Sequence, residues 1–196
     1  MDSIIEKIYE FDHNILLFIQ EHVRYSPLTP VMDISSKLVN AGVLWILICL
    51  VLLCFKKTRL IGVMALSSLG LCFLVNNIII KHAVARPRPF DTYNDLYPLI
   101  KKPKDYSFAS GHTATSFAIV GILVRFIPKP IAVISVVYAF MVAFSRMYLG
   151  VHYPTDVLCG MAIGIIGSVV IYYIYSKKFN LDEYKIKKLS FAKNAE

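Results

Sequence analysis

Asp156-Val-Leu-Cys-Gly-Met-Ala-Ile-Gly-Ile-Ile-Gly-Ser-Val-Val-Ile-Tyr-Tyr-Ile-Tyr-Ser176 runs from a single carboxylate through an unbroken apolar stretch. About 20 such residues, wound as an α-helix, cover the ~30 Å of hydrocarbon in a bilayer. Runs of the same character lie at about 40–55, 60–80, 113–127 and 130–148. Ahead of them, a segment at about 4–23 repeats Ile4, Ile5, Ile8, Phe11, Ile15, Phe18 and Ile19 at helical spacing, before Pro27 and Pro30 break the chain. The expectation is five firm spans plus a first segment that either spans or lies in the interface. This makes an all-α polytopic membrane bundle of about six transmembrane helices, in one domain over residues 1–196. Composition agrees, since 57% hydrophobic and 17% charged residues exclude both a soluble domain and a disordered chain.

The net charge of +8 sits in short clusters between apolar blocks, not along one polar face, so no nucleic-acid partner is expected. Lys56, Lys57 and Arg59, then Arg125 and Lys129, then the tail over 177–196, face the cytoplasm by the positive-inside rule. The loops 81–112 and 146–156 then share the extracytoplasmic face. The longer one carries Lys81, Arg86, Arg88, Lys101, Lys102 and Lys104 against that rule, which points to an anionic ligand. Cys49, Cys54, Cys72 and Cys159 lie inside apolar runs and read as free, buried thiols. Asp2, Glu6, Glu10 and Asp12 give the start of the chain the wrong charge for a cleaved signal peptide, so no removed leader is expected.

Three polar stretches stand at span ends on the proposed outer face: Lys81 to Pro89, Ser110-Gly111-His112, and Ser145 to Asp156. A phosphoryl group in displacement spreads charge over three oxygens and calls for cations and amide donors. Lys81, Arg88 and Arg146 supply the cations. A helix starting at Ser110 aims the amides of Ser110, Gly111 and His112 at the same anion, and Gly111 permits close approach. If Pro154 and Thr155 open a helix, Asp156 reaches back to His152 four residues earlier and supports its ring as it gains positive character. His152 is then the nucleophile, Asp156 its orienter, and His112 the general acid. Three clustered cations would repel a divalent ion, so neither the histidine pair nor Asp156 is expected to hold a metal.

These motifs, in this order and spacing, resemble the type 2 phosphatidic acid phosphatase superfamily, which includes the vanadium haloperoxidases. The resemblance covers residues 81–156 and, through the flanking helices, most of the chain. It implies a vanadium-haloperoxidase-like helical core and metal-independent hydrolysis of phosphate esters or anhydrides through a phosphohistidine, with no cofactor. Its pattern falls on Lys81, Arg88, Ser110, Gly111, His112, Arg146, His152 and Asp156. Ala109 departs from it, because the family commonly has proline there. A small chain of this kind resembles undecaprenyl diphosphate phosphatases, with phosphatidylglycerophosphate or phosphatidate phosphatase as the alternative. The implied partners are a lipid phosphate or diphosphate substrate and membrane lipids, in a multi-pass protein of the cell membrane.

Other readings stand beside these. A haloperoxidase would hold vanadate in the same cradle, but the five or more spans argue against it. A non-catalytic membrane protein that only binds lipid phosphates would not need both histidines, Asp156 and three cations. Arg86 lies outside the motif and reads as an interfacial anchor for lipid phosphates. Lys101, Lys102 and Lys104 read as a solvated run, or as contacts to a second phosphate. His13 and His22 read as packing or interfacial residues.

Overall fold

Nine α-helices, joined by short turns and irregular helical stretches, make up the computed structural model, which describes residues 2–186 and has no strand among them. In chain order they are α1 (Asp2–Phe18), α2 (Thr29–Leu38), α3 (Val43–Cys54), α4 (Arg59–Cys72), α5 (Lys81–Val84), α6 (Pro89–Thr92), α7 (Gly111–Leu123), α8 (Lys129–Tyr148) and α9 (Pro154–Ser176). A π-helical stretch, Phe73–Ile80, carries α4 on into α5. The stretch Arg59–Thr92 and helices α8 and α9 are each long and apolar enough to cross a membrane; α2 with Asn40–Cys54, bent by 44°, makes a fourth crossing if taken as one. The shorter α7 sits among them and is buried along most of its length. This is a multi-pass membrane architecture. The basic tail expected from residue 177 lies partly outside the described residues.

Helices that are apolar all round have no solvated face, and the bundle sorts them by packing instead. Trp45, Cys49, Ile61, Met64, Ile119, Ile122, Phe126 and Val142 fill the core. Ile134, Val137 and Phe140 of α8 and Ile166, Val169 and Tyr173 of α9 face outward. In water such a girdle would drive aggregation, whereas lipid accepts it. Of the four free cysteines, Cys49 and Cys72 are buried and Cys159 is half-buried, but Cys54, the last residue of α3, is exposed.

The first segment does not run through the bundle. Tyr9 meets Tyr93, His13 pairs with Asp95 at 2.8 Å, Gln20 donates to the Asp95 carbonyl, and Arg24 donates to the Tyr148 carbonyl at 3.0 Å. The stretch from Tyr9 to Arg24 covers roughly 22 Å, yet every one of these partners belongs to the end of the bundle that carries the motifs. The segment therefore lies across that end. The break expected at Pro27 and Pro30 is short, because Pro30 falls in the first turn of α2, where its missing amide costs nothing.

Close approach of α7 and α9 holds the centre together. A Cβ on Gly160 would sit 2.7 Å from the Ser110 carbonyl oxygen, and one on Gly164 would meet the Ala114 carbonyl oxygen and, at 2.9 Å, the Ala118 nitrogen. Small residues let the backbones touch where lipid offers no hydrophobic drive between helices. Gly167, one turn on, has nothing near the corresponding position. Gly164→Ala should therefore lower stability by about 1–3 kcal/mol through overpacking. Gly167→Ala should lose none and gain up to about 1 kcal/mol of helix propensity. Thermal unfolding of the two variants in detergent distinguishes them, and equal effects would refute this account of the contact.

Candidate active site

Each motif residue owes its place to a helix end. Lys81 opens α5, and Arg88 immediately precedes the first turn of α6. Ser110 is the N-cap of α7, its hydroxyl accepting from the Thr113 amide and from Thr113 Oγ1 at 2.9 Å, which starts the helix at Gly111 and His112. Arg146 lies in the last turn of α8, and His152 in the turn that follows. Asp156 caps the start of α9 by accepting from the Tyr153 amide at 3.0 Å. A cavity of about 810 Å³ joins Lys81, Arg88, Gly111, His112, Arg146 and His152, while Ser110 and Asp156 stand behind it. All eight sequence candidates thus meet at one end of the bundle, but the Ser110 amide donates to the Asp156 carbonyl at 3.0 Å and so does not join the anion cradle as its sequence position suggested.

Within the cavity the charges are incompletely matched. Arg146 is buried, donates through Nη1 to the Ser36 hydroxyl, and leaves its Nε without a hydrogen-bond partner. Among the described residues no carboxylate pairs with it, so an anion arriving there would meet an unspent donor. Arg88 Nη1 donates to the Val151 carbonyl at 2.6 Å and lies 3.4 Å from His152 Nε2. The His152 Nδ1 stands 3.4 Å from Asp156 Oδ2. With the carboxylate on that side, the ring proton belongs on Nδ1, and Nε2 turns its lone pair toward Arg88. His112 lines the same cavity from the first turn of α7. Gly111 faces the Asn77 carboxamide, whose Oδ1 would lie 3.2 Å from a Cβ there.

Several participants escaped sequence reading. Asp105 bridges two of the cations, accepting from Lys81 Nζ at 2.5 Å and from Arg88 Nη2 at 2.7 Å. Its partial burial alone would raise the carboxyl pKa, but the hydrogen bond from Lys81 and the charges of Arg88 and Lys81 outweigh that and hold it below the usual carboxylate range. The signal was a lone acidic residue after three lysines. Ser107 donates to Asp156 Oδ2, and Ser36 reaches Arg146 from α2; neither had any signal beyond its polarity. Arg86 is not an interfacial anchor. It is buried and donates through Nη1 to Asp156 Oδ1 at 2.9 Å, because the left-handed Ala85 (φ 47°) turns the chain inward after α5.

The PAP2 superfamily model matches residues 56–180. An undecaprenyl-diphosphatase of Sulfolobus acidocaldarius is 36% identical over 120 residues, covering 61% of this chain and 58% of that protein. The chain spans about half the length of the curated relatives it matches. The crystal structure of Aquifex aeolicus LpxE superposes with a TM-score of 0.75 at 26% identity, covering 83% of this chain and 95% of that one. A transmembrane phosphatidylglycerolphosphate phosphatase from Bacillus subtilis superposes with a TM-score of 0.72 at 26% identity, covering 89% of each chain.

Burial, helped by the charges of Arg88 and Arg146 and opposed by Asp156, lowers the His152 pKa from 6.5 to about 4. The folded-state value lies below the unfolded one, so stability is lost as pH falls from about 6.5 to about 4, and within that window the ring remains neutral. The acid limb of a kcat/KM profile should accordingly break near pH 4. A break at the ordinary histidine value would show that His152 is solvated and charged in the free protein.

Proposed function

The chain belongs to the PAP2 superfamily, and from that premise we propose that it is an integral membrane lipid phosphatase acting on undecaprenyl diphosphate, with its site on the extracytoplasmic face. The observation that carries the reading is the shape of the cavity. Its lining joins Lys81, Arg88, Arg146, His112 and His152 to Ile46, Leu69 and Phe73. A polar floor joined to an apolar wall fits a phosphate attached to a hydrocarbon chain. The choice of lipid follows the undecaprenyl-diphosphatase relative; phosphatidylglycerophosphate is the second reading, favoured by the structural likeness to the Bacillus subtilis phosphatase.

The chemistry uses the residues in place. Lys81, Arg88 and Arg146 draw in the terminal phosphoryl group, and its negative charge favours a proton on His112. The His152 Nε2 forms a bond to phosphorus as the bond to the bridging oxygen breaks, and the leaving oxygen takes the proton from His112. Asp156 supports the cationic ring through Nδ1. Water then attacks the phosphohistidine, gives its proton to His112, and the nitrogen–phosphorus bond breaks to release phosphate.

Phosphate release from matched undecaprenyl diphosphate, phosphatidate and phosphatidylglycerophosphate, with EDTA present, tests substrate and metal independence together. Undecaprenyl diphosphate should be preferred and EDTA should not matter. In the same assay, His152→Ala should abolish any acid-labile phosphoenzyme. His112→Ala should still form one from an activated aryl phosphate, whose leaving group needs little protonation. Phosphoenzyme in the His152 variant would reverse the two roles.

The orientation rests on charge. The tail and the α7–α8 turn meet at one end, where the Ile186 amide donates to the Phe126 carbonyl at 2.7 Å. The Lys56–Arg59 turn lies at the same end, because α4 runs from it toward the site. A cysteine placed at Lys104 in a cysteine-free background should be labelled only from outside. Labelling from the cytoplasm alone would put the site on the other face.

A further inference from the structure

We propose that Arg86 and Asp12 are positioning residues, a buried pair that orients Asp156 and balances the charge that develops on His152; the inference rests on the phosphatase reading above. Asp156 has no exposed surface, and Arg86 is the cation that contacts it. The guanidinium is held between rings, 3.7 Å from the Tyr153 centroid and 4.8 Å from that of Tyr9. Its Nη2 donates to Asp12 Oδ2 at 2.7 Å, and Asp12, equally buried, accepts from the Thr155 amide at 2.9 Å and from the Thr155 hydroxyl. The in-plane first helix thus supplies a carboxylate to a chain of contacts running Asp12, Arg86, Asp156, His152.

Charge counting gives this chain a purpose. Two carboxylates and one guanidinium leave one negative charge buried while His152 is neutral. Attack on phosphorus makes that ring cationic, and the set becomes neutral. Among the described residues, the other charged or titratable groups around His152 are Arg88, Arg146 and His112, with Lys81 and Asp105 in the same cavity; the one carboxylate among them, Asp105, is already spent on Lys81 and Arg88. Stabilisation therefore appears as the transition state forms, which raises kcat and leaves substrate binding alone.

Asp12→Asn keeps the shape but turns an amide donor toward donors. It should lower kcat by about 10-fold, the lower end of the scale for second-layer hydrogen-bond partners, with KM within about 2-fold. Arg86→Gln should cost more and move the acid limb of kcat/KM toward neutral pH, since a cation near His152 is lost. Asp12→Asn should cost less in the Arg86→Gln background than in the wild type, because part of its effect passes through Arg86. His13→Ala, which loosens the same helix from Asp95 without touching the chain of contacts, should retain wild-type kcat. If Arg86→Gln does not fold, Asp12→Asn and Arg86→Lys decide through the kcat-against-KM split. Wild-type kcat in Asp12→Asn, additive losses in the double variant, or an equal loss in His13→Ala would overturn the proposal while wild-type turnover leaves the phosphatase reading standing. Absence of turnover by the wild type on every lipid phosphate would overturn both.

Discussion

A carboxylate with no exposed surface needs every lone pair occupied, and Asp156 satisfies this need by drawing distant parts of the chain to one point. Its oxygens accept from Arg86, Ser107, the Tyr153 amide and His152. Its backbone carbonyl accepts from the Ser110 amide at 3.0 Å, which ties the start of α9 to the start of α7. Remove that one acceptor and the cap of α9, the tautomer of His152 and the placement of the loop before α7 all lose a support. The site is held by buried polar bonds at helix ends, where backbone groups are already without intrahelical partners.

Below that layer the bundle contributes little chemistry but much precision. Trp45 Nε1 donates to the Ser116 hydroxyl at 3.0 Å, and Ser116 in turn donates to the His112 carbonyl at 2.8 Å. The helix bearing His112 is thus pinned from the core one turn below the cavity. The glycine contacts of α9 limit its distance from α7, and with it the distance between the helix starts that carry His112 and Asp156. Dispersion packing among apolar side chains sets the frame, and a few polar bonds read it out at the end of the bundle.

Much of this was legible in the sequence because the relevant forces are local. Apolar runs reported the spans, and Ser110 and Pro154 announced helix starts through capping and φ restriction. Asp156 reached His152 as the four-residue spacing required. What stayed hidden depends on chain separation. Asp12 and Arg86 are 74 positions apart and Ser36 and Arg146 are 110 apart, and no periodicity connects them. Arg86 looked like a surface arginine because it falls outside the motif on a loop that carries Lys81 and Arg88, whereas the turn at Ala85 buries it. The amphipathic spacing of the first segment fits a helix lying flat as well as one that spans, and only its partners at one end of the bundle decided between them.

Asp105 makes the resting cradle self-neutralising. Two of the three cations already hold a carboxylate, whose side chain is half exposed to solvent while Lys81 and Arg88 are buried. A singly charged anion such as chloride or a free carboxylate would exchange one negative charge for another and gain little. A phosphoryl group bearing two charges would replace Asp105 and also satisfy Arg146. Selection by valence would then follow from the charges of the site alone, and common monoanions would compete poorly without any steric filter.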